Sequence, residues 1–168
     1  MSDLELRIQR LESKAALQDL IARYFVASDD DDFATLATLF SETATFHAHG
    51  QSPLLGPERI VGFIREARTH MGLTIHTPNW TLFEFQNEDH ATGKVGAHLE
   101  LAMGGRSLFG AARYLDTYVR ENGIWRFSSR RFQVIHIGTW EDVGTSLTES
   151  RCVRWPGGEP HGSEHQLK

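Results

Sequence analysis

Apolar residues recur every three or four positions from residue 3 to residue 29, with charged side chains between them. This spacing is typical of an amphipathic helix, and no glycine or proline interrupts it. Four consecutive aspartates at residues 29–32 then end the helix, because aspartate competes for backbone hydrogen bonds and favours turns and caps. Asp31 or Asp32 is expected to cap a second, short helix over residues 33–40.

The next stretch predicts one more helix between strands. Residues 44–49 alternate as a strand does, and Pro57 suits the first turn of a helix that runs to about Met71. Gly72 is expected to stop this helix. Four long strands then follow, over residues 74–86, 91–103, 107–120 and 124–137. Consecutive antiparallel strands after a helical start predict an α+β fold, with about three N-terminal helices on one face of a curved sheet.

Two local features refine the strand pattern. Pro78 cannot donate to a ladder, so the strand is expected to be bulged or edge-like there. Asn122-Gly123 supplies positive φ angles and predicts a tight hairpin. Residues 1–137 therefore form the predicted α+β domain, and residues 138–168 a C-terminal extension. We expect the extension to dock partly on a neighbouring subunit through Trp140, Val143, Leu147 and Trp155, with about the last ten residues disordered.

Composition narrows the class of protein. The chain has 168 residues, of which 40% are hydrophobic and 23% charged, as expected for one globular domain with a core. A net charge of −5 disfavours nucleic acid as a partner, and no apolar run is long enough to span a membrane. The start of the chain lacks the apolar core of a signal peptide, and the single Cys152 excludes an internal disulfide. We therefore expect a cytoplasmic protein.

No cofactor or metal is expected. No glycine-rich segment has a phosphate-binding spacing. His47 and His49 lie two residues apart on one strand face and can bind metal, and His98 or His136 might join them. No acidic or cysteine ligand stands at a telling spacing nearby, so a lining or surface role is the preferred interpretation.

The order of these elements resembles a known family over residues 3 to about 137. The resemblance is carried by ALQDLIARY at 16–24, GPERI at 56–60, RYLDTY at 113–118, NGIWRF at 122–127 and the pair Arg130-Arg131. Together they resemble the SnoaL-like group of the nuclear transport factor 2-like superfamily. Within it, the chain is similar to the subset containing lindane dehydrochlorinase, scytalone dehydratase and bile-acid 7α-dehydratase. That resemblance implies a cone-shaped apolar cavity with an Asp–His dyad at its mouth.

The resemblance assigns the dyad to Asp29 and His76. An imidazole beside a carboxylate is a general base that can remove a proton from carbon next to a leaving group. Tyr24 lies just over one helical turn before Asp29 and is expected to assist the leaving group. Arg131 shares strand parity with residues 125 and 127, so we expect it to point into the cavity and Arg130 to point out, an assignment that a single bulge reverses. The alternative is a turn aspartate, a strand histidine with satisfied hydrogen bonds and a core tyrosine.

Five further residues are expected to bind substrate: His98, Tyr114, Trp80, Phe46 and Phe127. The same aromatic side chains can instead fill a core, and a sheet face covered by another subunit explains His98 equally well. We predict a cofactor-independent lyase, of the dehydratase or dehydrohalogenase type, acting on a small apolar cyclic molecule. The alternatives are an isomerase or cyclase of the same fold, or a non-catalytic small-molecule-binding or accessory subunit. A homodimer or homotrimer is expected, because an open sheet face needs covering.

Overall fold

The computed structural model describes residues 2–165. Its elements, in chain order, are α1 (Asp3–Asp29), α2 (Phe33–Thr38), β1 (Phe40–His47), β2 (Leu54–Leu55), α3 (Pro57–Arg68), β3 (Met71–Phe85), β4 (His90–Met103), β5 (Arg106–Glu121), β6 (Ile124–Gly138) and α4 (Trp140–Val143). Among these helices, none is both long and apolar enough to cross a bilayer.

Helix α1 has the predicted extent because both of its ends are specified locally. Ser2 and Glu5 form a capping box, in which each side chain accepts a hydrogen bond from the other residue's backbone N–H. The aspartate run ends the helix, and Asp32 caps α2 by accepting from the backbone N–H of Thr35 at 2.9 Å. The second half of α1 supplies its contacts with the apolar core, from Leu17 onward.

Two predicted helix ends are wrong. Helix α2 stops at Thr38, and Phe40 instead begins β1, whose backbone joins the sheet. Helix α3 stops at Arg68, and Gly72 lies inside β3. In both places strand pairing overrides local helix signals, because the chain gains sheet hydrogen bonds. The short elements β2 and α4 were not predicted.

The strands form one curved, open sheet in the order β2-β1-β6-β5-β4-β3. Strands β1 and β6 run parallel, and the other neighbouring pairs are antiparallel. Helices α1–α3 pack on one face, where their apolar side chains join those of the sheet in one core. The predicted α+β fold is therefore confirmed.

Two β-bulges reverse the strand parity that strict alternation predicts. Pairing shifts between Pro78 and Trp80, so Asn79 is the extra residue and Trp80 turns to the outer face with 45% of its surface exposed. A second shift at residue 128 puts Arg130 on the inner face, where it is fully buried. Arg131 is exposed on the outer face, so its predicted inward orientation is wrong.

The C-terminal segment, residues 138–165, packs on its own chain. Strand β1 pairs with β6 only as far as His47 and Arg131, and the C-terminal segment covers the edge of β6 beyond that pair. There Val153 bridges Ile137, and the Glu164 backbone N–H donates to Val134 at 2.9 Å. The predicted disorder is therefore wrong for residues 159–165, and residues 166–168 lie outside the described part. Docking on a neighbouring subunit stays a prediction.

Candidate functional site

An apolar cavity of about 280 Å³ lies between the helices and the inner face of the sheet. Its volume lies just below the usual range for small-molecule sites, which is about 300–1,000 Å³. Its apolar and aromatic walls include Tyr24, Phe46, Phe63, Ile64, Met71, Leu99, Tyr114, Phe132 and Trp155. Apart from the hydroxyls of Tyr24 and Tyr114, the polar lining consists of four side chains, Ser28, Arg68, Thr74 and His76. A largely apolar cavity with convergent polar groups is the usual form of a small-molecule site.

Asp29 and His76 meet at this cavity. Asp29 is the last residue of α1, and its Oδ1 lies 2.6 Å from the Nδ1 of His76 on β3. The backbone N–H of His76 donates to the other carboxylate oxygen at 2.9 Å. Because an ionised carboxylate can only accept, Nδ1 of a neutral His76 carries the proton and Nε2 keeps its lone pair. This tautomer is the one that a general base with a free Nε2 requires.

The environment of Asp29 keeps it ionised. Burial alone would raise the pKa of this carboxyl group, because the charged form loses solvation. The hydrogen bonds and charge of His76, together with the hydrogen bond from Thr74, outweigh burial and hold the pKa below its ordinary value. Asp29 is therefore an anion at neutral pH, able to stabilise an imidazolium beside it.

A chain of hydrogen bonds fixes Asp29 from behind. The Thr74 hydroxyl donates to Asp29 Oδ1 at 2.7 Å and accepts from Arg68 Nη1 at 2.9 Å. Arg68 is held in turn by Asp31, whose Oδ1 lies 2.5 Å from its Nε. Asp31, expected in a solvated turn or cap, thus orients the arginine that supports the dyad. Phe25 stacks on the His76 ring, with 5.3 Å between centroids and 18° between planes.

A buried arginine stands behind the cavity wall. The guanidinium carbon of Arg130 lies 4.0 Å from the ring centre of Tyr24, 4.2 Å from that of Tyr114 and 4.4 Å from that of Phe127. These distances suit cation–π attraction, which is stronger where water is excluded. Within residues 2–165, its N–H groups have no hydrogen-bond partner. Burial raises the pKa of both tyrosines, and the positive charge of Arg130 opposes that rise.

Asp116 is the counter-charge of Arg130. Its Oδ1 lies 3.4 Å from Arg130 Nε, and its Oδ2 accepts from the Tyr118 hydroxyl at 2.9 Å. Both charged side chains are fully buried. Burial raises the pKa of Asp116 to about 6, against the opposing effects of Arg130 and Tyr118.

The structure brings together most, but not all, of the predicted site residues. Tyr24, Phe46, His76 and Tyr114 line the cavity, and Asp29 contacts His76. Phe127 is fully buried behind the wall, against Arg130 and Tyr24.

Three predicted site residues lie on the outer face. The bulge at residue 79 turns Trp80 away from the cavity. His98 is exposed there, and its Nδ1 lies 3.2 Å from Asn79. The third is Arg131, which neighbours His47 and lowers its pKa in addition to a larger effect of burial. A cavity-lining role is therefore wrong for these residues.

Sequence reasoning missed Arg68, Thr74 and Arg130. Thr74 had a usable signal, since it lies two residues before His76 and so on the same strand face. No sequence signal marks Arg68, because its contact with Thr74 depends on how α3 packs relative to β3. Trp155, which closes part of the cavity wall, lies in the non-periodic C-terminal segment.

Comparison of this chain with known proteins identifies one family. The model of the SnoaL-like domain matches residues 9–131. Gamma-hexachlorocyclohexane dehydrochlorinase from Sphingobium indicum is 32% identical over 134 residues, which cover 77% of this chain and 83% of that protein. The crystal structure of LinA superposes with a TM-score of 0.75 at 27% identity, covering 79% of this chain and 92% of that one. The crystal structure of hexachlorocyclohexane dehydrochlorinase LinA-type3 from Novosphingobium barchaimii superposes with a TM-score of 0.74 at 25% identity, covering 79% of this chain and 93% of that one.

Proposed function

Since the chain belongs to the SnoaL-like domain family, we propose that it is a cofactor-independent lyase of the dehydrohalogenase or dehydratase type. One observation carries the proposal. The Nδ1 of His76 lies 2.6 Å from an ionised Asp29, at the wall of an apolar cavity. A histidine oriented by a carboxylate within hydrogen-bond reach, at a cavity that can hold a substrate, is the arrangement that a general base uses. This arrangement favours an enzyme over a binding module.

In the proposed reaction, His76 Nε2 removes a proton from a substrate carbon. The electron pair of that C–H bond forms a C=C bond with the adjacent carbon, which releases its leaving group as chloride or, after protonation, as water. Asp29 stabilises the imidazolium that the proton transfer creates. General-base catalysis of this kind contributes roughly 10²–10⁴-fold to the rate.

The leaving group requires its own stabilisation, and the buried cation supports this second role. Arg130 replaces Arg131 as the assisting arginine, because Arg131 lies on the outer face. Arg130 lies directly behind the rings of Tyr24 and Tyr114, both of which line the cavity. Its charge opposes the burial effect on their pKa, which strengthens the phenols as hydrogen-bond donors. We propose that these phenols donate to the departing chloride or oxygen.

The substrate class follows from the walls and from the relatives. A small cavity lined mainly by aromatic and aliphatic side chains favours a compact apolar ring. Relatives at 31–32% identity are hexachlorocyclohexane dehydrochlorinases, so a chlorinated cyclohexane is the first substrate to test.

The test is chloride release from γ-hexachlorocyclohexane by the wild type, His76→Ala and Asp29→Asn. Both variants are expected to lose roughly 10²–10⁴-fold in kcat, with unchanged far-UV circular dichroism. His90→Ala, an exposed histidine at the start of β4, is the matched control and keeps wild-type turnover. Wild-type rates in both dyad variants would contradict the proposal. Conversion of the substrate to an isomer, without loss of chloride or water, would identify an isomerase instead.

Location and assembly also belong to this proposal. The thiol of Cys152 is free and buried, which suits a reducing cytoplasm. Three apolar side chains on the outer face of β3, Leu73, Ile75 and Leu82, are 45–75% exposed and support a homodimer or homotrimer. Light scattering that gives a monomer at micromolar concentration would exclude the oligomer.

A further inference from the structure

A second cluster of ligand-type side chains lies at the edge of β6, where β1 ends and the C-terminal segment takes its place. His49 follows the end of β1, and His161 and Glu164 come from the C-terminal segment. One ligand atom from each of the three lies within 4.8 Å of the others. The rings of His49 and His161 stack, with centroids 4.7 Å apart and planes 13° apart. None of the three takes part in the proposed reaction.

The tautomer of a neutral His161 suits metal binding. Its Nδ1 lies 2.9 Å from the carbonyl oxygen of Gly162, which can only accept, so Nδ1 carries the proton. Its Nε2 therefore presents a lone pair, and it lies 3.9 Å from Glu164 Oε1. A histidine that donates its second ring N–H to a backbone carbonyl is the usual arrangement among metal ligands, because the bond fixes tautomer and orientation.

Glu164 is equally well positioned. Its side chain is only 6% exposed. Its Oε2 accepts from the backbone N–H of Val134 at 2.8 Å, while its own N–H donates to the Val134 carbonyl at 2.9 Å. One carboxylate oxygen thus holds the side chain in place, and Oε1 remains directed toward His161.

We propose that His49, His161 and Glu164 bind a divalent transition-metal ion of the zinc class. Two imidazole nitrogens and one carboxylate oxygen are a recognised zinc ligand set, with a fourth position for water. Bonds of 2.0–2.1 Å in a tetrahedron place ligand atoms roughly 3.3 Å apart. His161 Nε2 and Glu164 Oε1, now 3.9 Å apart, need to approach by a few tenths of an ångström, and rotation of the exposed His49 side chain brings its ring nitrogen to them.

The ion would join the C-terminal segment to the end of β1. Both partners of that junction reach the cavity, since Ala48 and Trp155 line its wall. Metal binding therefore fixes the position of one part of the cavity wall without supplying any group to the chemistry. This inference does not depend on the proposed lyase activity.

The experiment is calorimetric titration of the full, untagged, chelator-treated protein with zinc chloride at neutral pH. One site per chain is expected in the wild type. His49→Ala, His161→Ala and Glu164→Gln should each weaken binding at least tenfold, and His90→Ala should not. Glu164→Gln is the most informative variant, because a glutamine can still accept from Val134 while the charge is lost. At a hundredfold excess over Kd, zinc should raise the wild-type Tm by roughly 5–10 °C.

Three results would overturn the site. The first is the absence of saturable zinc binding by the wild type. The second is equal affinity in the wild type and the three ligand variants, and the third is weaker binding by His90→Ala as well. Either of the last two results means adventitious binding. If His161→Ala fails to fold, as judged by circular dichroism, His49→Ala decides the question, because His49 is exposed.

Discussion

Replacing Thr74 by valine removes a hydrogen bond that supports the Asp29–His76 dyad and leaves both dyad residues unchanged. The Thr74 hydroxyl gives Asp29 one of its three hydrogen bonds, at 2.7 Å, and connects it to Arg68. In Thr74→Val the carboxylate keeps both bonds from His76, and Arg68 Nη1 keeps the Gly72 carbonyl at 3.2 Å. No buried charge is therefore left without a partner.

The expected cost follows from the kind of bond that is lost. A hydrogen bond to a charged group contributes about 1.5–3 kcal/mol to the free energy of unfolding. In a protein of this size, that corresponds to a fall in Tm of roughly 3–10 °C. The pKa of Asp29 should rise toward its ordinary value, yet the group stays ionised at neutral pH. Turnover should therefore fall less than tenfold, far less than in His76→Ala.

Urea denaturation followed by circular dichroism measures this difference, with Thr77→Val as the control. Thr77 lies on the same strand, but its side chain is exposed. Because the folded-state pKa of Asp29 is lowered, its stabilisation is present above the unfolded pKa of about 3.9 and is lost below it. The deficit of Thr74→Val should shrink accordingly as pH falls through 4. If the two variants differ by less than about 0.5 kcal/mol at neutral pH, the proposed support of Asp29 is wrong.

Three further changes test the packing around the site. Because the pKa of Asp116 is raised in the folded state, the folded protein keeps a proton between pH 4 and 6 that the unfolded protein releases. The wild-type free energy of unfolding should therefore fall by up to about 1.4 kcal/mol per pH unit over this range, and Asp116→Asn should remove that dependence. Arg130→Met should lower the free energy of unfolding by roughly 3–5 kcal/mol at neutral pH, because it leaves the charged Asp116 without its cation. The loss should be smaller at pH 5, where Asp116 holds a proton. Gly96→Ala places a Cβ 2.4 Å from the Trp80 ring and should cost about 1–3 kcal/mol, whereas Gly62→Ala meets open space.

Denaturation at several pH values checks the first two changes, and tryptophan fluorescence adds a direct readout for the third. An unchanged pH slope in Asp116→Asn would mean that Asp116 titrates normally. An equal deficit of Arg130→Met at pH 5 and 7 would argue against a protonated Asp116. A Gly96→Ala protein as stable as Gly62→Ala would contradict the close packing of Trp80.

Local signals in the sequence were enough for most of the fold. The helix of residues 3–29 and the Asn122-Gly123 hairpin depend on interactions between near neighbours, and both are present as predicted. The contact of Asp29 with His76 was expected from family resemblance together with helix register, and it is also present. These features need no knowledge of how distant strands pair.

Strand parity was the main source of error. Pro78 predicts a bulged or edge-like strand but not the face that Trp80 takes, because one extra residue sends the next side chain to the opposite face. Nothing in the sequence around residue 128 marks the second bulge, which turns Arg130 inward. The contact of the C-terminal segment with its own β6 was not predictable either, because the segment covers an edge of β6 that is open only where β1 ends.

Long-range proton–nitrogen correlation spectroscopy of the His76 imidazole at mildly alkaline pH reads the tautomer directly and needs no substrate. If Asp29 holds His76 as a general base, Nδ1 carries the proton and Nε2 is bare in the wild type. A neutral His76 protonated on Nε2 would contradict the general-base assignment.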